Sequence, residues 1–222
     1  MQIFDIYQKL YKAYGPQGWW PFVGIGYHKL DYTYPKNSDQ IFEVALGSIL
    51  TQNTTFTSVE RSLENLSKLD ALNPKNLKKL PIDQLKIAIE PSGYFNQKAN
   101  YILNFLDFFE KLDGKIPKRD ELLKVKGVGE ETADSILLFG YNQLEFKVDA
   151  YTKRLFINLK LVDENIKYKQ LKDMIEDDLK SSIKDDSELL KVYLEFHPLI
   201  VEHGKLHYSK KPYGVDSLIK CR

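Results

Sequence analysis

From Ser38 to His207 apolar residues recur at spacings of three and four, and no stretch alternates as a half-buried strand would. Ile41, Phe42, Ala45, Leu46, Ile49 and Leu50 set the pattern, with Ser38 or Asp39 as the expected N-cap. The same periodicity predicts helices over 56–69, 81–89, 97–112, 119–123, 131–139, 150–159, 167–180 and 187–207, and an amphipathic one near the start, MQIFDIYQKLYKAYG. NPKN, PSG, DGKIP, KGVG and GYNQ between them are short turn or cap signals. The expected fold class is all-α, with about nine to eleven helices on short loops. One connection breaks the rule: GPQGWWPFVGIGYHKLDYTYPKNSDQ, residues 15–40, gathers glycine, proline and aromatics, and ordered loops of that length are often functional.

Charge excludes a simple electrostatic account of function. Thirty-two basic residues face 31 acidic ones, so the net charge of +1 gives no general attraction to a polyanion. The distribution is uneven, with Lys205, Lys210, Lys211, Lys220 and Arg222 set against Asp216 alone in the last twenty residues. No window approaches the roughly eighteen apolar residues of a membrane span, so no membrane partner is expected. A single cysteine, Cys221, excludes an internal disulfide and any cage of several thiolates, which suits a reduced, intracellular (cytoplasmic) setting.

Two segments carry chemistry. In ELLKVKGVGEETADSILLFG an apolar helix end meets Gly127, Val128 and Gly129, and a new helix follows with Ala133, Ile136 and Leu137 on its apolar face. Glycine permits positive φ and close backbone approach, and the next helix opens with free amides and a positive dipole end, so a phosphate could rest on the backbone. Val128 would pack inward, and Lys124 and Lys126 would add charge from the flank. The same residues also describe a plain αα-hairpin. Asp149, after Val148, opens another helix, and by position alone it reads as an N-cap, a role that can coexist with a chemical one.

LxxxKGVGxxTA followed by VDAYTKRLF closely resembles the helix-hairpin-helix and downstream aspartate of the endonuclease III superfamily of DNA glycosylases. ALGSILTQNTTF looks like the superfamily's helix ending in a DNA-probing glutamine, PSGYFNQKANYI is similar to its G, Y, N and KA element, and HGK at 203–205 is a looser likeness. The resemblance implies a two-lobed helical bundle: a central lobe over 38–141 with the helix-hairpin-helix, residues 1–37 and 142–222 forming a discontinuous second lobe, and DNA across the cleft. It implies Asp149 as the catalytic residue, damaged double-stranded DNA as partner, and a monomer. Gln52 would fill the gap left in the duplex and Asn53 would support its loop, while Lys124, Lys126, Gly127, Val128, Gly129 and Thr132 would contact DNA.

Two departures sharpen the expectation. Strand-cutting members use a lysine near the start of the helix after GVG to form a Schiff base; here that position is Glu131, which cannot form an imine. Many relatives hold a four-iron cluster on four cysteines, which Cys221 alone cannot replace, and Tyr208, Tyr213 and Asp216 fall in that region. The expectation is therefore a monofunctional glycosylase without a cofactor. His203 and His207 stand four apart, but no third ligand accompanies them, so no metal site is expected.

The aromatic loop speaks to the base. GWWPF resembles the tryptophan-proline element of the endonuclease-III-like 3-methyladenine DNA glycosylases, and TQNTTF places Phe56 where their second pocket aromatic lies. On that likeness Trp19 and Phe56 would sandwich a flipped base, Trp20 and Pro21 would line its pocket or touch the DNA, and Lys205 would lie nearby. A positively charged alkylated purine is drawn to aromatic faces more strongly than a neutral base. The expected activity is hydrolytic release of alkylated purines such as 3-methyladenine in base excision repair. A glycosylase for oxidised or mismatched pyrimidines, and a non-catalytic DNA-binding protein, are the alternatives.

Overall fold

The computed structural model describes residues 2–211, 213 and 216–219. Among them eleven α-helices form and no strand does, apart from an isolated bridge between Phe22 and Gly26. The helices are α1 Ile3–Tyr14, α2 Ser38–Leu50, α3 Phe56–Lys68, α4 Pro74–Leu77, α5 Ile82–Ile89, α6 Phe95–Leu112, α7 Arg119–Leu122, α8 Glu130–Ser135, α9 Ala150–Asn158, α10 Tyr168–Ser182 and α11 Asp186–His207. A 3-10 turn, Glu90–Ser92, follows α5, and α8 runs on into a π turn, Ile136–Gly140. No described helix is long and apolar enough to cross a membrane.

Local chemistry explains the boundaries, including those that differ from expectation. The N-cap of α2 is Asn37 rather than Ser38 or Asp39: its extended backbone frees the side-chain oxygen to accept the Gln40 amide at 2.9 Å, while Ser38 is already helical. NPKN, expected as a bare turn, is the start of α4, with Asn73 capping the Asn76 amide and Pro74 in the first turn, where its missing N–H is harmless. Asp149 caps α9 and Asp185 caps α11 in the same way.

The chain divides into two units. The first comprises Met1–Trp19, Tyr27–Tyr32 and Gln143–Arg222, and the second Trp20–Gly26 and Thr33–Asn142. In the first unit α1 packs on α10 and α11, and α9 on α11. Ile6, Leu10, Phe146, Leu155, Phe156, Ile175, Tyr193, Phe196 and Leu199 fill the space between them and are fully buried. Asp178 of α10 accepts the Ile3 amide at 2.9 Å, satisfying an open donor at the start of α1. In the second unit, Phe42, Leu46 and Ile49 of α2 meet Leu63 and Leu66 of α3, Ile89 of α5, Ile102 and Phe105 of α6, and Ile136 and Leu137 beyond α8 in one continuous core.

Candidate active site and nucleic-acid interface

The glycine hairpin lies in the second unit between α7 and α8. Gly127 has φ +102°, and a Cβ there would stand 2.2 Å from Cγ of Tyr101, so both backbone and space demand glycine. Gly129 differs: its backbone is extended and nothing lies within 4 Å of where a Cβ would be, which leaves the surface above it open. Val128 is buried as the hairpin's plug, and its amide is committed to the Val125 carbonyl at 2.9 Å. Val128 packs inward as expected, and among the described residues Gly127 and Gly129, the two expected to offer amides to a phosphate, keep theirs free of any internal acceptor. Arg119 of α7 donates from Nε to the buried Asp134 of α8 at 2.6 Å, which fixes the angle between the two helices.

Neighbouring elements brace this hairpin. Gln52, in the loop after α2, donates from Nε2 to the Gly127 carbonyl at 2.8 Å and to Thr132 Oγ1 at 3.2 Å. Gln52 and Thr132, both expected at the DNA, therefore bond to each other and to the hairpin, and Thr132 is buried. Asn53, expected as the supporting residue, is the exposed one and takes φ +53°. Asn104 of α6 reaches the Lys126 carbonyl at 3.2 Å, and buried Lys98 of the same helix donates to the Leu50 and Ser92 carbonyls at 2.8 and 2.7 Å, closing the end of α2. Lys126 is exposed, as is Lys124, whose Nζ lies 3.6 Å from Asp120. Glu131 is exposed in the first turn of α8, where its charge favours the helix dipole.

The aromatic residues divide between the units. Trp20 is buried in the second unit, its ring 5.4 Å from Phe56 in an edge-on arrangement and 6.0 Å from Phe139. A Cβ on Gly47 of α2 would meet the Trp20 ring at 2.4 Å, so the helix carries glycine where the indole lies against it. Pro21 is also buried. Within this unit Phe56 is thus packed against Trp20. Trp19 belongs to the first unit, where its ring stands 6.1 Å from His197, edge-on, and 6.4 Å from Tyr27.

Asp149 is at the end of a segment held by α10. Phe146 donates its amide to Glu176 at 2.7 Å and Val148 to the Tyr168 hydroxyl at 3.3 Å. Asp149 Oδ1 accepts the Thr152 amide at 2.8 Å and the Thr152 hydroxyl at 2.9 Å, a capping box at the start of α9. Burial favours its neutral form, but His197, Lys147 and the two bonds from Thr152 outweigh it and hold Asp149 below the usual carboxylate range. Burial and the neighbouring Lys147 charge push His197 down to about 3, so near neutral pH the imidazole is uncharged. Lys147 and His197 are both buried. A fixed carboxylate with a cation and a neutral imidazole beside it can stabilise a developing cationic centre and hold a water. Sequence reasoning missed Lys147 and His197 as its neighbours; Lys147 stands only two residues before Asp149, whereas His197 comes from α11.

Gly204 lets α9 and α11 approach, since a Cβ there would fall 2.4 Å from the Tyr151 ring. Lys205, expected beside the base, is exposed on α11 with Nζ 2.7 Å from Glu202. Beyond α11, Asp216 gathers a buried polar cluster: Oδ2 accepts from Tyr208 Oη and pairs with His203 Nε2, each at 2.6 Å, and Oδ1 accepts the Leu218 and Ile219 amides at 3.0 and 3.2 Å. His203 Nδ1 meets the Tyr14 hydroxyl at 2.8 Å. Both ring nitrogens of His203 are thereby engaged, and Tyr208 and Asp216 bond to one another. Cys221 lies outside the described residues. With one cysteine in the chain, the donors present do not fit a four-iron cluster.

Residues 46–181 match the family described as HhH-GPD superfamily base excision DNA repair protein. A candidate DNA repair glycosylase of Methanocaldococcus jannaschii is 38% identical over 220 residues, covering 94% of this chain and 90% of that one. Endonuclease III of Sulfolobus acidocaldarius is 30% identical over 179 residues, 78% of this chain and 76% of its own. Among solved structures, H. pylori 3-methyladenine DNA glycosylase bound to 1,N6-ethenoadenine superposes with a TM-score of 0.73 at 29% identity, covering 93% of this chain and 98% of that one. A non-covalent endonuclease III–DNA complex shares the fold, with a TM-score of 0.72 at 17% identity over 97% of this chain and 91% of that one.

Proposed function

This chain belongs to the HhH-GPD superfamily of base excision DNA repair proteins, and within that family of DNA glycosylases we propose that it is a monofunctional enzyme releasing alkylated purines such as 3-methyladenine by hydrolysis. The observation that carries the hydrolytic reading is Asp149, held ionised by Lys147 and Thr152 at the start of α9. Glycosidic cleavage at a deoxynucleoside builds positive charge on the sugar, and a carboxylate fixed before the reaction stabilises that charge without reorganising. The same oxygen pair can orient the attacking water. An alkylated purine leaves as a neutral base once its bond breaks, so little protonation of the leaving group is needed.

The remaining roles are read within each unit separately. The open amides of Gly127 and Gly129, with exposed Lys124 and Lys126 on the flank, serve as the phosphate seat. Trp19, buried with its ring edge-on to Asp149's neighbour His197, is the aromatic residue assigned to a cationic base. Glu131 in the place of a lysine favours hydrolysis over an imine route. The superposition on a 3-methyladenine glycosylase supports the substrate class.

The test is a screen of base release from alkylated, deaminated and oxidised duplexes with wild type and Asp149→Asn. Release confined to the alkylated duplex, and lost in Asp149→Asn, is the expected result. Preferential release of thymine glycol would transfer the assignment to oxidised pyrimidines, and unchanged release by Asp149→Asn would remove the carboxylate from the mechanism.

A further inference from the structure

Within the first unit, residues 143–149 lead into Asp149 as neither helix nor strand. Their amides at Phe146, Val148 and Asp149 donate to side chains instead of to backbone: to Glu176 Oε1 at 2.7 Å, to the Tyr168 hydroxyl at 3.3 Å and to Thr152 Oγ1 at 3.3 Å. A helix or a sheet ladder fixes its own register, but here the place of the backbone is set by whichever side chains offer acceptors. Thr152 belongs to the cap of α9, whereas the other two acceptors both come from α10.

On α10, Tyr168, Lys172 and Glu176 stand four residues apart and so share one face. Lys172 is buried, pairs with Glu145 and lies 3.7 Å from Glu176. Lys180 is 3.6 Å from the second Glu176 oxygen. From α11, Tyr193 packs edge-on to the buried Phe146 ring at 5.3 Å, and the His197 ring hydrogen-bonds to the Lys147 backbone. Burial raises the Glu176 pKa, opposed by the Phe146 amide, Lys172 and Lys180. Buried ion pairs add little net stability where an apolar contact would serve, so charges gathered here point to a directional task.

We propose that Glu176 is a positioning residue for base release, fixing from α10 the segment that carries the Asp149 carboxylate. Glu176 touches no substrate and acts through the Phe146 amide, with Lys172 balancing its charge and Tyr168 holding the next anchored amide at Val148. A carboxylate that must face one bond of the sugar gains from a backbone held before the substrate arrives, since small displacements are costly in rate. The inference rests on the reading of Asp149 as the reacting carboxylate.

The test compares single-turnover base release at saturating enzyme with affinity for a duplex carrying a stable abasic-site analogue, on methylated duplex or on whichever lesion the wild type releases. Glu176→Leu, which removes the acceptor, is expected to slow release by about 10- to 100-fold while changing affinity by less than about threefold. Glu176→Gln keeps an oxygen for the Phe146 amide and is expected to restore most of the rate. Below the melting temperature of each variant, a merely structural role would leave the rate of the folded enzyme unchanged. Full rate in Glu176→Leu, a loss matched by lost affinity, or a loss that Glu176→Gln does not restore would each overturn the assignment. Should Glu176→Leu fail to fold, Tyr168→Phe carries the test: slower release at unchanged affinity supports the positioning role of α10, and full rate overturns it. Asp149→Asn is run alongside: if it is slow while Glu176→Leu is not, positioning alone falls, and if it keeps its rate the reading of Asp149 falls as well.

Discussion

At Gly127 the backbone sits in the left-handed region and the Tyr101 ring occupies the space of a Cβ, whereas at Gly129 both restrictions are absent. The two glycines of one motif should separate in experiment. Gly127→Ala is expected to cost about 2–3 kcal/mol, combining conformational strain with a clash against a packed ring. Gly129→Ala is expected to shift stability by less than about 1 kcal/mol while weakening DNA binding, since the added methyl stands in the open space at the proposed phosphate seat. Chemical denaturation and a binding titration check both. Asp149 likewise combines an observed cap with the proposed catalytic carboxylate. Asn keeps the cap but removes the charge facing buried Lys147, so Asp149→Asn should lower the melting temperature modestly while base release falls by about 10² to 10⁴. Because the Asp149 pKa is depressed, its ionised form persists until the pH falls below the ordinary carboxylate range, and His197, at about 3, adds no titration near neutrality. Single-turnover base release should therefore be flat from about pH 5 to about pH 8, without a limb near the usual histidine pKa of about 6.5.

Within α2, Glu43 is a buried carboxyl whose resolved partner is the Val23 amide at 2.8 Å, and burial pushes it up to about 7 despite that bond. The folded state thus holds a proton that the unfolded chain releases nearer 4.5. Stability from this group is full below the unfolded value and is lost as the pH rises through the folded one. Urea titrations at about pH 5 and about pH 7.5 should differ by on the order of 2–3 kcal/mol in wild type, and Glu43→Gln should flatten the difference. The cluster beyond α11 has the opposite sign. Burial works against the Asp216 charge, but His203 and Tyr208 hold its carboxyl well below the usual range, so its contribution is present above the ordinary carboxylate pKa and fades as acid titrates the folded group. Asp216→Ala leaves His203 and Tyr208 without their shared acceptor and is expected to cost about 3 kcal/mol, read as a fall in the denaturation midpoint. The helices themselves were legible because caps and periodicity act within one turn. The π turn Ile136–Gly140 was not, since it widens where the chain packs against Ile41 and Val44 of α2, and no local residue announces that contact.

For the molecule as a whole, the family assignment makes the chain a DNA glycosylase of the helix-hairpin-helix type. Whether it also cuts the strand turns on an amine, and the motif position holds Glu131, exposed and anionic at the start of α8. Borohydride trapping on alkylated duplex is expected to yield no efficient covalent adduct; capture through a lysine would overturn the hydrolytic reading. The sequence by itself determined the helical class, the glycine hairpin, the helix start that follows it and the capped Asp149, because each depends on residues a few positions apart. Tertiary structure decided what surrounds them. Gln52 bonds to Thr132 eighty positions away, Trp20 goes into the core of the second unit against Gly47, and His197 comes to Asp149 from a helix nearly fifty residues on. Such contacts are selected by packing volume and by the need to pair buried polar groups, and neither leaves a periodic trace along the chain.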